Sequence, residues 1–280
     1  MQIEQVHYDT FKTGSKTYFN SSRFFPAEIR KDVFYLYGFV RQADNFVDAV
    51  PQDPDGFYRF RDAYRRAVEG TASGDPIIDR FIELGKRRSF DPAWTEAFLR
   101  SMELDLFKQD YNSLDETLEY IYGSAEVIGL FMASIMALPE EAYHAARMLG
   151  RAMQYINFIR DIDEDVKLGR RYLPLTDTPL ESLEFAYVRE HLREFRNFHV
   201  QQIGLYMGWQ KEAEGGYGYI PYRYLLPIKT AADMYIWTAK KIEKNPMVVY
   251  EKKVKPPKWR ILLQFLLNSG TACFTAKGNL

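Results

Sequence analysis

The chain of 280 residues reads as an all-α protein folded as one helical domain, and three observations lead to that fold class. Apolar residues recur at helical spacing along most of the sequence, while the strict alternation of a half-buried strand is nearly absent. Proline repeatedly stands at the start of a periodic stretch, in the first turn, where its missing N–H costs nothing. The breaks between stretches are short and carry Gly, Pro, Asp and Ser, so no linker marks a domain boundary.

Taken in order, the first expected helix covers residues 26–50 and ends at the break Pro51-Gln52-Asp53-Pro54-Asp55-Gly56. A second covers 55–69, and the break Ser73-Gly74-Asp75-Pro76 separates it from a third at 76–86. Pro92 opens a fourth at 92–109, and apolar periodicity gives a fifth at 114–137. Pro139 opens a sixth at 139–167, and a seventh spans 180–206. Gly215-Gly216-Tyr217-Gly218 breaks the chain before the last two, 227–244 and 257–267, each beginning at a proline. No internal repeat is present.

Composition narrows the function. Lys plus Arg is 37 against 38 Asp plus Glu, a balance that gives no support to a polyanion-binding surface, and no nucleic-acid motif is present. One cysteine, Cys273, rules out an intrachain disulfide framework and fits a reducing compartment. The N-terminal residues lack a basic region followed by an apolar run, and no stretch approaches the roughly 20 apolar residues of a spanning helix. The expectation is a cytoplasmic protein with peripheral membrane contact at most. Aromatic residues make up 16%, which suits either a ring-rich core or a long central apolar cavity.

Two acidic constellations carry the chemistry. On a helical wheel centred on Asp44, Val33, Tyr37 and Val40 fall within about 40° of it, and Asp48 lies beside it one turn later. Two carboxylates on an apolar face are costly unless neutralised. Either buried salt bridges, with Arg41 at hand, or an oxygen-seeking divalent cation would do this. The second constellation is Gln154, Asn157, Asp161 and Asp165, spaced three, four and four apart on one stripe. Ala152, Ile156, Ile159, Ile162 and Val166 lie opposite, so the stripe is either a solvated polar face or a ligand face. Two amides and two Asp are poor helix formers, more often chosen for hydrogen bonding. Gly169-Arg170-Arg171-Tyr172 follows and supplies cations. Two such pairs facing each other would clamp diphosphates through bridging cations.

At these motifs the chain resembles the squalene/phytoene synthase family. Asp44-Asn45-Phe46-Val47-Asp48, preceded by Tyr37 and Arg41, is similar to its first acidic motif. Gln154, Asn157, Arg160, Asp161 and Asp165 followed by Gly169-Arg170-Arg171-Tyr172-Leu173-Pro174 resemble its second. Gly14 to Phe19, with Ser15, Lys16, Thr17 and Tyr18, looks like a phosphate-contacting segment in which Thr17 replaces a serine. Tyr120 to Gly129, with Tyr122, resembles the segment between the motifs, except that Glu126 stands where the family has a small glycine. Tyr235 and the Lys252-Lys253-Val254 run lie where a substrate tyrosine and a basic phosphate ligand are expected. The likeness covers roughly residues 14 to 260.

The resemblance implies an isoprenoid-synthase-type helical bundle around a central apolar cavity. It implies Mg²⁺, or Mn²⁺, on Asp44, Asp48, Asp161 and Asp165. Two allylic prenyl diphosphates would be the substrates, with Tyr37 and Arg41 in the catalytic centre. Ser15, Lys16, Thr17, Tyr18, Tyr122, Gln154, Asn157, Arg160, Arg171, Tyr235, Lys252 and Lys253 would contact them. Head-to-head joining of two geranylgeranyl diphosphates to phytoene is the favoured reading, because the motif wording is nearest the phytoene branch. Farnesyl diphosphate and a C30 product stand as the alternative, with NADPH needed only for squalene. A non-catalytic relative acting as a binding protein would be expected to lose metal-binding Asp residues, and all four are present. Oligomeric state is not legible.

Overall fold

The computed structural model describes residue 7 and residues 25–275, and these form helices joined by turns, with no strand among them. The helices are α1 Ala27–Asp48, α2 Pro54–Val68, α3 Pro76–Arg88, α4 Pro92–Leu104, α5 Leu114–Ile121 and α6 Val127–Ile135. They continue as α7 Tyr143–Arg160, α8 Ile162–Lys167, α9 Phe185–Glu190, α10 Leu192–Glu214, α11 Tyr222–Lys244, α12 Val248–Glu251 and α13 Lys258–Thr275.

Three of the early helices begin with one device. Asp53, Asp75 and Asp91 each precede a proline and cap the helix, accepting from Gly56, Ile77 and Ala93 N–H groups at 2.8 Å. Each cap satisfies an orphan donor and stabilises its helix by about 1 kcal/mol, while the proline presets the first φ.

Several expected helices are cut at positions that carry no Gly- or Pro-marked break. Residues 114–137 form α5, a π-helical turn Tyr122–Glu126, and α6. The 139–167 helix divides into a 3₁₀ turn, α7 and α8, because Asp161 leaves the helical region at φ −101° and ψ 16°. Residues 180–206 divide at His191 into α9 and a longer α10. The helix expected from Pro227 starts five residues earlier, at Tyr222, so Pro227 lies inside α11. The last helix runs to Thr275, well past the expected end at 267.

Packing gathers the buried side chains into two main clusters. One joins α1, α2, α3, α4 and α6, with Phe39 stacked on Phe81 at 3.9 Å. The other joins α5, α7, α10, α11 and the 172–188 segment, with Phe158 stacked on Tyr172 at 4.2 Å. Small residues let helices approach at the seam. A Cβ on Gly123 would stand 2.1 Å from the Ala97 carbonyl oxygen, and one on Gly150 would stand 2.4 Å from that of Ala125. The stretch Leu114–Ile135 is long and apolar enough to cross a membrane, but the π turn interrupts it and more than half is buried in the bundle.

Candidate active site

A cleft of about 720 Å³ opens where the two clusters meet. Asp44 and Asp48 enter from the end of α1, and Gln154, Asn157, Arg160, Asp161 and Asp165 enter from α7 and α8. The two acidic motifs, more than 100 residues apart in the chain, therefore line one space.

The carboxylates differ in what neutralises them. Arg160 holds Asp161 in a fork, with Nε and Nη2 donating at 2.8 and 2.6 Å. Lys253 stands 3.3 Å from the same carboxylate and also pairs with Glu164. Asp165 has Asp161 beside it, and burial together with that like charge pushes its pKa up to about 8. Arg41 pairs with Asp44 at 2.5 Å, yet burial and the neighbouring Asp48 still raise Asp44 to about 6. One member of each pair, Asp44 in the first and Asp165 in the second, is thus under-neutralised. Of the two readings left open at Asp44, the structure contains the Arg41 ion pair, and that pair does not cancel the excess negative charge.

Three residues that sequence reasoning passed over, Gln52, Asp105 and Glu164, complete the cleft together with Arg170, which it named only within a cationic segment. Asp105, at the end of α4, is buried and accepts from the hydroxyls of Tyr120 and Tyr172, each at 2.8 Å. Burial pushes its carboxyl up to about 6 despite those two bonds. Arg170 stands 3.5 Å from Asp48 and donates to the carbonyls of Val47 and Asp105 at 3.1 and 3.3 Å. Gln52 donates to the same two carbonyls at 2.6 and 2.9 Å. Glu164 lines the wall beside Lys253.

The other expected residues fall in different places. Tyr37 is half-buried, and its hydroxyl feels both Arg41 and Asp44. Tyr235 is near enough to Arg160 to act on its charge. Tyr122 packs against the first cluster, with the Arg147 guanidinium 5.3 Å from its ring centre. Lys252 is exposed, whereas Lys253, next to it, pairs with Asp161 and Glu164 of the cleft wall without lining the cleft itself. Arg171 is not among the cleft-lining residues: it pairs with Asp110 at 3.1 Å and donates to the Tyr111 and Leu173 carbonyls. The cleft cation from the Gly-Arg-Arg-Tyr segment is Arg170. Ser15, Lys16, Thr17 and Tyr18 lie outside the described residues. Glu126 is fully buried and bonds Arg147 and Arg151 at 2.9 and 2.6 Å, so it ties the π turn to α7 rather than lining the cleft.

The donor set fits hard divalent cations bound jointly with a phosphorylated ligand. Among the described residues no three His, Cys, Asp or Glu side chains stand together as a complete metal cage. Mg²⁺ does not need one, since it is commonly held by one or two carboxylates plus substrate phosphates and water. Each Asp pair offers that, and the buried Asn157 Oδ1, which has no hydrogen-bond partner, adds an unused acceptor in the same wall.

Comparison with known proteins gives one answer. The family model described as squalene/phytoene synthase matches residues 11–260. The 15-cis-phytoene synthase of Pantoea ananas is 28% identical over 275 residues, covering 91% of this chain and 88% of that protein. A dehydrosqualene synthase crystallised with a ligand superposes with a TM-score of 0.77 at 20% identity, covering 95% of both chains. The squalene synthase HpnC from Alicyclobacillus acidocaldarius superposes with a TM-score of 0.76 at 18% identity, covering 86% of this chain and 92% of that one.

Proposed function

The chain belongs to the squalene/phytoene synthase family and is a prenyltransferase, and from that premise we propose that it joins two geranylgeranyl diphosphates head to head to form phytoene. The observation that carries the reading is the lining of one cleft by both Asp pairs together with Arg160 and Arg170, with Lys253 paired to Asp161 at its wall. A diphosphate brings the negative charge those cations can take up. It also brings the oxygen ligands that complete divalent coordination at Asp44, Asp48, Asp161 and Asp165. Mg²⁺ held there, or Mn²⁺, supplies Lewis-acid stabilisation of the departing diphosphate.

The residues of the chain do the rest. Arg160 and Lys253 spend their charge on Asp161, and an arriving diphosphate competes for it. Arg170 is anchored to two backbone carbonyls, so it meets the ligand without reorganising. The allylic C–O bond of the first donor breaks, and its electron pair leaves with the diphosphate. The 2,3-double bond of the second donor attacks the allyl cation, and proton loss closes a cyclopropylcarbinyl diphosphate. Loss of its diphosphate, rearrangement and a second proton loss give the polyene. Phe158, Tyr120 and Tyr172 form a ring-lined side of the cleft that limits water around the cation. The half-buried Tyr37, beside Asp44 and Arg41, orients the diphosphate end.

The test is product analysis. Purified protein with Mg²⁺ and geranylgeranyl diphosphate is expected to yield a C40 hydrocarbon by mass spectrometry without NADPH. A C30 product made only from farnesyl diphosphate would move the assignment to the squalene or dehydrosqualene branch. No product from either donor with folded protein would sink the enzymatic reading.

A further inference from the structure

Glu126 stands where the resembled family has a small glycine, and it sits between two arginines. It belongs to the π turn, and its side chain is fully buried. Arg147 and Arg151, one turn apart on α7, each donate to it through Nε, at 2.9 and 2.6 Å. A ring braces each guanidinium as well. The Arg147 Cζ lies 5.3 Å from the Tyr122 ring centre, and the Arg151 Cζ lies 5.4 Å from that of Trp209. Both forks are therefore held in place before any ligand arrives, and neither arginine lines the cleft.

The charge at this cluster does not balance. One carboxylate faces two guanidinium groups, and neither arginine pairs with another carboxylate among the described residues. Glu212, one turn beyond Trp209 on α10, pairs with His144 instead, at 3.3 Å. A tie between the π turn and α7 needs only one arginine, so the second leaves a positive charge in excess. The Nη groups of both have no acceptor among the described residues. The two side chains are 37 and 18% exposed, which puts those unused donors within reach of a solute. Two forks side by side suit a phosphoryl group, whose terminal oxygens can bridge both, better than a carboxylate. Trp209 also lines a groove of about 600 Å³ with Leu114, Pro174, Gly204, Leu205 and Gly208, and this groove shares no lining residue with the cleft.

We propose that Arg147 and Arg151, held side by side by Glu126, form a diphosphate-binding site outside the catalytic cleft, where α7 meets the π turn and α10. The guanidinium forks take the terminal phosphoryl oxygens, and Glu126 is the residue that positions them. The ligand is free inorganic diphosphate or the head of a prenyl diphosphate whose chain follows the Trp209 groove. Arg151 stands one turn before Gln154, so the site and the cleft wall share one helix.

The test is fluorine NMR of the full chain labelled with fluorotryptophan and titrated with inorganic diphosphate in EDTA, so that no divalent cation bridges the ligand to the cleft. The Trp209 resonance, assigned with Trp209→Phe, is expected to shift saturably. Arg147→Lys/Arg151→Lys keeps both charges and loses the forks, and about tenfold weaker binding is expected. Glu126→Ala/Arg147→Ala/Arg151→Ala strands no charge and is expected to abolish the shift in a folded protein. Arg170→Ala/Lys253→Ala, which weakens the cleft for phosphate, is expected to leave the shift in place. Absence of a saturable Trp209 shift in the wild type would overturn the proposal. So would unchanged affinity in the lysine variant, a shift that survives in the triple alanine variant, or one lost in the cleft variant. Geranylgeranyl diphosphate titrated in parallel identifies the source. Equal affinity for both ligands means the free anion, and about tenfold tighter binding of the prenylated one means that its chain occupies the groove. Binding is read without metal or turnover, so its failure is distinct from failure of the enzymatic reading.

Discussion

Arg170 joins the two acidic segments: its guanidinium stands 3.5 Å from Asp48 of α1, while its backbone N–H donates to the Asp165 carbonyl at 2.8 Å. The pair alone adds little stability, because Asp48 is half-exposed. The fixed fork matters more, since it also donates to the Val47 and Asp105 carbonyls. Arg170→Lys keeps the charge and loses the fork. It is expected to cost about 1–2 kcal/mol of stability and to lower kcat/KM by about 10- to 100-fold. Steady-state kinetics beside thermal melts will separate the two effects. An unchanged kcat/KM would remove Arg170 from the diphosphate site.

What could be read in advance follows from how far apart the contributing residues stand. Asp44 with Asp48, and Asp161 with Asp165, were legible because a one-turn spacing puts each pair on one face of its segment. Arg170 was not, since choosing between adjacent arginines requires the backbone path after α8, where Arg170 turns to the cleft and Arg171 to Asp110. Asp105 was invisible for a different reason. Its tyrosine partners lie 15 and 67 residues away and leave no periodic trace. The helices were legible as apolar stretches, but the breaks at Asp161 and His191 carry no Gly or Pro to announce them.

Acid-base behaviour should report the under-neutralised carboxylates. Asp44 and Asp165 have folded-state pKa values of about 6 and about 8, above those of an unfolded Asp near 4. Between these limits the folded chain binds more protons than the unfolded one. Stability of metal-free protein is therefore fullest below about pH 4 for these two groups and is lost as pH rises toward 8. Divalent cations replace the protons, so added Mg²⁺ with inorganic diphosphate is expected to raise the melting temperature more at pH 8 than at pH 5.5. Equal shifts at both pH values would contradict the charge balance described for the cleft.

The same argument separates stability from activity at Asp165. An amide cannot ionise, so Asp165→Asn removes the cost of a buried charge beside Asp161. Metal-free Asp165→Asn is expected to melt higher than wild type at pH 8. Its turnover is expected to fall by about 10²- to 10³-fold, through loss of a cation ligand. A variant both less active and less stable would mean that Asp165 serves folding instead.

Glu126 should behave in the opposite way. Its fully buried carboxylate bonds Arg147 and Arg151, and no cleft-lining residue depends on it directly. Glu126→Gln leaves two guanidinium groups short of a counter-charge, and about 3 kcal/mol of destabilisation is expected. Product length is expected to stay the same, as measured by mass spectrometry of the hydrocarbon. A shifted product length would place Glu126 in the wall of the substrate cavity.

The close seam between the π turn and α7 gives the sharpest contrast between two glycines. A Cβ on Gly150 would lie 2.4 Å from the Ala125 carbonyl oxygen and 3.1 Å from the Glu126 Cα, both backbone atoms that cannot move aside cheaply. A Cβ on Gly204 of α10 meets nothing within 4 Å. Gly150→Ala is therefore expected to push α7 away from the turn, costing about 2–3 kcal/mol. Activity should fall with it, because Gln154, Asn157 and Arg160 ride on the same helix. Gly204→Ala, at an open helical position, is expected to add about 0.5–1 kcal/mol of stability and leave activity alone. Chemical denaturation of the two variants decides it. If both gained stability, the helices would not approach as closely at Gly150 as described.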